Sequence, residues 1–237
     1  MADTSGALAS SERITGISSM ATRRVLAELG AAYERQSGQR VVVESVGGVD
    51  ASRRVEGGEA FDFVVLAAPA MDKLAAAGRI DPDTRVDIAR SRVAIAVPAG
   101  ARRPDLTSGQ AVRDAVLAAR KIGYSTGPSG RHLTNLFERW GIAATIAPRT
   151  VEAPPGVAVG TLVARGDVDL GFQQLSELMH LPGIDVVGTL PPEIQEITVF
   201  SGAVCVSSAR RAAAQALLSF CTSPAADAAK RDHGMEP

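Results

Sequence analysis

Apolar positions in this chain follow two alternating patterns: short continuous runs, and stretches spaced at three and four, parted by glycines and hydroxyls. The runs RVVVES (40–45) and FDFVVLA (61–67) read as strands. The second is apolar throughout, as in a parallel strand covered on both faces. Residues 14–17 form a first strand that leads through SSM into a helix to about Gln36, with Val25, Leu26, Leu29 and Tyr33 on one face and Gly38 as its stop. A short helix over 50–56 follows VGGVD. Another over 70–77 follows Pro69, which suits a first helical turn, and ends at Gly78.

A strand over 92–97, the loop PAGARRPDLTSG, a helix over 111–120 and a strand over 121–124 come next. Beyond a loop over 125–130, Leu133, Leu136, Phe137 and Trp140 repeat at helical spacing, and Gly141 closes the helix. The rest reads as a strand (150–153), a Pro-Pro-Gly turn, a helix (157–165), a strand (168–172), a short helix (173–179), strands at 184–187 and 196–206, and helices at 210–220 and 224–232. Alternation of this kind predicts an α/β fold with mainly parallel sheets flanked by helices.

Six strand-to-helix loops stand out: GISSM, VGGVD, LAAPA, STGPSG, APPGV and FQQLS. In open α/β sheets such loops lie at the carboxyl ends of strands, where ligands bind. They are rich in Ser, Thr, Gly and Gln and poor in acids and histidine, an inventory that donates hydrogen bonds to an anion. In STGPSGR, Ser129 is placed to cap the following helix. Ser125, Thr126 and Gly130 leave room for a ligand, and Arg131 in the first turn opposes the helix dipole unless an anion sits there. Gln173 and Gln174 follow a buried strand and are further ligand contacts or helix caps. Capping alone also accounts for Ser18, Ser19 and Ser129. Arg53 and Arg54 read as solvated, with cleft contact the alternative. Acid–base candidates are few: His132, Tyr124 and Glu177.

Composition narrows the classes. With 25 basic and 26 acidic residues, the chain has no polybasic footprint for nucleic acid or an acidic membrane surface. Aromatics are 4% of 237 residues, too few for a carbohydrate cleft lined by rings. No apolar stretch reaches the roughly 18 residues of a membrane span. The N-terminus shows no signal-peptide pattern, so the expectation is a cytoplasmic protein as written, periplasmic if this is a mature form. Cys205 and Cys221 read as reduced core thiols, and the three histidines are scattered, so no metal or cofactor is expected.

The order of ISSM, GEAFDFVVLA, MDKLAAAGRI, ARSRVAIAVPAG, IGYSTGPSG, LVARGDVDLGFQQ and SPAADAAKRDHGMEP resembles the molybdate-binding, type 2 periplasmic binding proteins of ABC importers. That resemblance implies two α/β lobes, residues 1–95 plus 200–237 and residues 96–199, joined by two crossover hinge strands with the ligand in the cleft. It implies oxyanion contacts from Ser18 and Ser19, the Gly47–Gly48 turn, Ser129 with Gly130, and the Pro155–Gly156 turn. The chain departs from the family where Gln174 replaces a tyrosine and where Arg131 adds a cation. Both changes point from molybdate or tungstate toward a carboxylate-bearing ligand. The chain is also similar to aconitate isomerase. The expected function is therefore solute binding, with an ABC importer as partner if the protein is exported. A cytoplasmic isomerase of a small polycarboxylate is the alternative, and a ligand-sensing effector domain a third reading.

Overall fold

The structure, a computed structural model, describes residues 13–154 and 156–237. In chain order it runs β1 (Arg13–Ser19), α1 (Arg23–Ser37), β2 (Arg40–Val46), α2 (Gly48–Glu56), β3 (Phe63–Ala67), α3 (Ala68–Ala76) and β4 (Val86–Pro98). There follow α4 (Gly109–Ala118), β5 (Ile122–Tyr124), α5 (Pro128–Arg139), α6 (Ala143–Ile146), β6 (Thr150–Glu152), α7 (Val159–Ala164) and β7 (Leu170–Gln174). The chain closes with α8 (Leu175–Leu178), β8 (Ile184–Thr189), β9 (Ile197–Val204), α9 (Arg211–Cys221) and α10 (Asp227–Asp232). It divides into two compact units: the chain up to Ala89 with Val199–Pro237, and Arg90–Thr198. β4 and β9 each begin in one unit and end in the other.

In the first unit β1 pairs in parallel with β2 and β3, and β3 pairs antiparallel with β9. In the second, β5 pairs in parallel with β6 and β7, while β4 pairs antiparallel with β7 and β8. The sheets are thus mixed: parallel where helical crossovers connect the strands, antiparallel where β4 and β9 join. β3 is buried at every position, so its continuous apolar run has core on both faces. On one face Phe63 and Val65 meet Leu26, Leu29 and Leu218; on the other Val64 and Leu66 meet Val55, Met71 and Leu74.

The second unit repeats this plan. Val93, Ile95 and Phe172 pack with Leu133, Leu136 and Phe137 of α5 on one face. Fully burying each such side chain contributes about 1.5–3 kcal/mol. Helix ends follow the glycines: Gly38 (φ 71°) stops α1. Gly141 (φ 66°) follows α5, where Gly141 N–H bonds Glu138 O and Ile142 N–H bonds Phe137 O, the paired closure of a left-handed helix end. α6, a single turn, has no apolar period long enough to be read from sequence.

Candidate functional site

Register fixes the carboxyl edge of the first unit. Ser18 stands opposite Ser45 on β2 and Val65 on β3, so the segments that start the Met20–Thr22 turn, α2 and α3 share that edge. Ser18 Oγ is fully buried, 2.8 Å from Ser45 Oγ, and donates to the Ser19 carbonyl at 3.3 Å. Ser19 is extended (φ −72°, ψ 158°) ahead of the short turn, yet its hydroxyl caps nothing. That Oγ is buried without a hydrogen-bond partner. Such an orphan costs about 1–3 kcal/mol, which a polar ligand can recover. Gly47 is the N-cap of α2 and Gly48 its first residue; neither has positive φ, and a Cβ on Gly48 would meet Ser19 Cβ at an ordinary 3.6 Å. What the two glycines supply is an uncovered helix start. Arg53 pairs with Asp50, and Arg54 bridges Glu44 and Glu59 while lying over the Phe61 ring, so Arg54 is held as a strut of the fold.

On the second unit, Tyr124 stands opposite Glu152 and Phe172, and the loops after β5, β6 and β7 form the matching edge. Two expectations need correction here. Ser129 does not cap α5. Pro128 takes the first-turn position that proline favours, so Gly127 is the N-cap and Ser129 lies inside the first turn. Ser129 is buried, with its Oγ 3.0 Å from Ser125 Oγ. Gly130 is a packing requirement rather than an opening: a Cβ there would fall 1.6 Å from the Ser125 carbonyl oxygen. The helix start therefore rests directly on the loop that precedes it. Thr126 is half-buried in that loop, and Arg131 is exposed. Among the described residues Arg131 makes no ion pair with a carboxylate, and its backbone N–H bonds Gly127 O at 3.2 Å. Gly156 holds a left-handed turn (φ 79°), whereas Pro155 lies outside the described residues.

Gln173 and Gln174 end β7 instead of opening a helix, because α8 begins only at Leu175. Their side chains stay buried by taking partners inside the unit. Gln173 Oε1 accepts the Val159 N–H at 2.7 Å, at the start of α7, and its Nε2 donates to Glu177 Oε1 at 2.8 Å. Gln174 Nε2 donates to Thr198 Oγ1 at 2.7 Å, leaving Oε1 buried and unpartnered. Ser91 and Ser176 also carry buried, unpartnered hydroxyls. Ser45, Ser91 and Thr198 carry no signal in the sequence. Ser45 becomes visible only through its pairing with Ser18, and a lone serine or threonine in a strand carries no signal of its own.

The acid–base candidates separate by environment. His132 is buried, with Nε2 donating to the Ile194 carbonyl at 2.7 Å and Nδ1 3.1 Å from Glu196 Oε2, so both nitrogens are engaged within the fold. The Tyr124 phenol is pushed above its ordinary value by burial and by the Glu152 charge. Glu177 is half-buried, and desolvation pushes its carboxyl up to about 7, against a smaller downward pull from the Gln173 hydrogen bond. Among the described residues no cluster of His, Cys, Asp and Glu could hold a metal, and no helix is long and apolar enough to cross a membrane.

Two α/β units sharing β4 and β9, with hydroxyl- and amide-rich strand ends, define a type 2 periplasmic-binding-protein fold. The chain belongs to the bacterial extracellular solute-binding protein family, whose profile matches residues 14–236. It is 36% identical over 230 residues to an aconitate isomerase of a Pseudomonas species, spanning 94% of this chain and 87% of that one. Among solved structures, the periplasmic molybdate-binding protein of Azotobacter vinelandii superposes with a TM-score of 0.79 at 22% identity, covering 94% of this chain and 99% of that one. A sulfate-binding protein of Mycobacterium tuberculosis gives 0.77 at 18%, covering 95% and 86%. At those identities the likeness to both structures is one of fold.

Proposed function

We propose that the protein is a solute-binding protein for a small carboxylate-bearing anion. The observation that carries this is Arg131: an exposed residue in the first turn of α5, without a carboxylate partner among the described residues, on the helix that starts from the Ser125–Ser129 loop. A guanidinium fork matches a carboxylate through two parallel bonds. Gln174, at the end of β7, keeps one side-chain amide atom buried without a partner, and an amide can read the remaining oxygens of a polyacid. Micromolar binding needs about −8 kcal/mol, and hydrogen bonds to charged groups contribute roughly 1.5–3 kcal/mol each, so a handful of such contacts is enough. For an exported chain, family membership supports an ABC importer as partner.

The 36% identity to an aconitate isomerase supports the same ligand class. It also favours a second reading, in which the bound tricarboxylate is isomerised by moving a proton across its allylic system. A thermal-shift panel of molybdate, tungstate, sulfate, citrate and both aconitates tests the first reading. The expected result is stabilisation by the carboxylates and at least a tenfold weaker affinity in Arg131→Ala; stabilisation by the tetrahedral oxyanions alone overturns it. Ultraviolet detection of cis- and trans-aconitate interconversion by the purified protein tests the second, and its absence eliminates it.

A further inference from the structure

We propose that Glu177 is the proton-transfer group of that isomerisation, held by Gln173; this rests on the second reading above. Glu177 lies three residues beyond the end of β7, on the same carboxyl edge as the Ser125–Ser129 loop. Its orientation follows from a two-step chain. The Val159 N–H can only donate, so it fixes Oε1 of the Gln173 amide. The Nε2 end must then face Glu177 Oε1, as it does at 2.8 Å. One carboxyl oxygen is thereby anchored, and among the described residues Glu177 makes no ion pair with a Lys or Arg. A second donor or a cation would hold the group as a carboxylate; here one oxygen stays available to a substrate hydrogen.

The other candidates are committed elsewhere, His132 through both nitrogens and Tyr124 by an environment that disfavours its anion. Desolvation also brings the Glu177 carboxyl to about 7, where protonated and ionised forms coexist near neutral pH, as acid–base catalysis in both directions needs.

The step balances without a co-reactant. The Glu177 carboxylate removes a proton from the methylene carbon of the allylic tricarboxylate. The C–H electron pair becomes the new C=C bond, and the old double-bond pair moves to the former vinylic carbon through an allylic carbanion spread onto the carboxylates. The Glu177 carboxyl then returns the proton to that carbon, forming the new C–H bond and restoring the carboxylate. Nothing is oxidised or reduced.

The test follows trans-aconitate by proton NMR in D2O, with ligand affinity measured in parallel. Wild-type protein is expected to produce cis-aconitate, with deuterium entering the methylene position as the Glu177 carboxyl proton exchanges with solvent between the two transfers. Glu177→Gln, which keeps the Gln173 hydrogen bond, is expected to slow both at least a hundredfold, the low end of what a positioned acid–base contributes. Its affinity should remain within about threefold of wild type, a result that also shows the variant is folded. Glu177→Ala should recover at least tenfold when formate is added as an external base. Gln173→Leu should lower kcat and leave KM unchanged. Wild-type protein inert toward both aconitates overturns the isomerase reading and this proposal together. Active wild type with Glu177→Gln slowed less than a hundredfold, or Glu177→Ala untouched by formate, overturns the role of Glu177 alone.

Discussion

At the scale of single residues, the edges of both units are made of groups whose hydrogen bonding is left incomplete. Ser19 Oγ and Gln174 Oε1 are buried acceptors without partners, an arrangement that a finished fold avoids unless something else supplies the partner. Ser19→Ala removes an orphan hydroxyl and is expected to leave stability without ligand unchanged or raised by up to about 1 kcal/mol. Urea unfolding checks this, and a loss of stability in Ser19→Ala would make the hydroxyl a structural group. Gly130 behaves oppositely. Because a Cβ would overlap the Ser125 carbonyl, Gly130→Ala must lift the first turn of α5 off its loop and separate Ser125 from Ser129. The expected cost is about 2–3 kcal/mol, in the range of core overpacking, read as a lower urea midpoint at unchanged m-value.

Elements decide what sequence can show. The apolar stripe of α5 and the buried run of β3 were legible because packing imposes the spacing directly on the residues, and Gly38, Gly78 and Gly141 marked helix ends because a positive φ admits few other residues. The cap of α5 lies two residues before the one the sequence predicts, because a serine in STGPSG looks like a cap while Pro128 sets the helix boundary. β7 runs two residues beyond the predicted strand end, since two buried glutamines look polar until their amides are seen bonding Val159 and Thr198. Buried polar pairs are properties of the folded element and leave no periodicity. α8 shows the energetic consequence. Glu177 ionises near 4.5 in the unfolded chain and at about 7 when folded. Below about pH 4.5 the group is protonated in both states and costs nothing. As pH rises toward 7 only the unfolded chain releases the proton, so stability falls, by about 1.4 kcal/mol per unit of difference. Glu177→Gln should therefore be roughly 3 kcal/mol more stable than wild type at pH 8 and close to it at pH 4.5. Equal differences at both pH values, from denaturant midpoints, would show that the carboxyl is not desolvated.

For the whole molecule, the division of the chain matters more than any single contact. The chain enters the second unit along β4, which pairs with β7 and β8, and leaves it along β9, which pairs with β3 of the first unit; each of the two strands has residues in both units. Both cysteines lie in the first unit, Cys205 directly after β9 and Cys221 at the end of α9. Burial pushes each thiol up to about 12, with the Asp62 charge adding to the effect on Cys205. Native protein should therefore resist a thiol reagent at pH 8, where an ordinary exposed cysteine reacts through its thiolate, and labelling should proceed only through unfolding. These thiols then report on the first unit, while Arg131 and the Ser125–Ser129 pair belong to the second. A ligand at a hundred times its Kd stabilises the folded state by about 2.7 kcal/mol. If β4 and β9 make unfolding one cooperative event, a saturating carboxylate ligand slows labelling of Cys205 and Cys221 about a hundredfold. Labelling at an unchanged rate, with the ligand bound, would show that the first unit opens independently of the second.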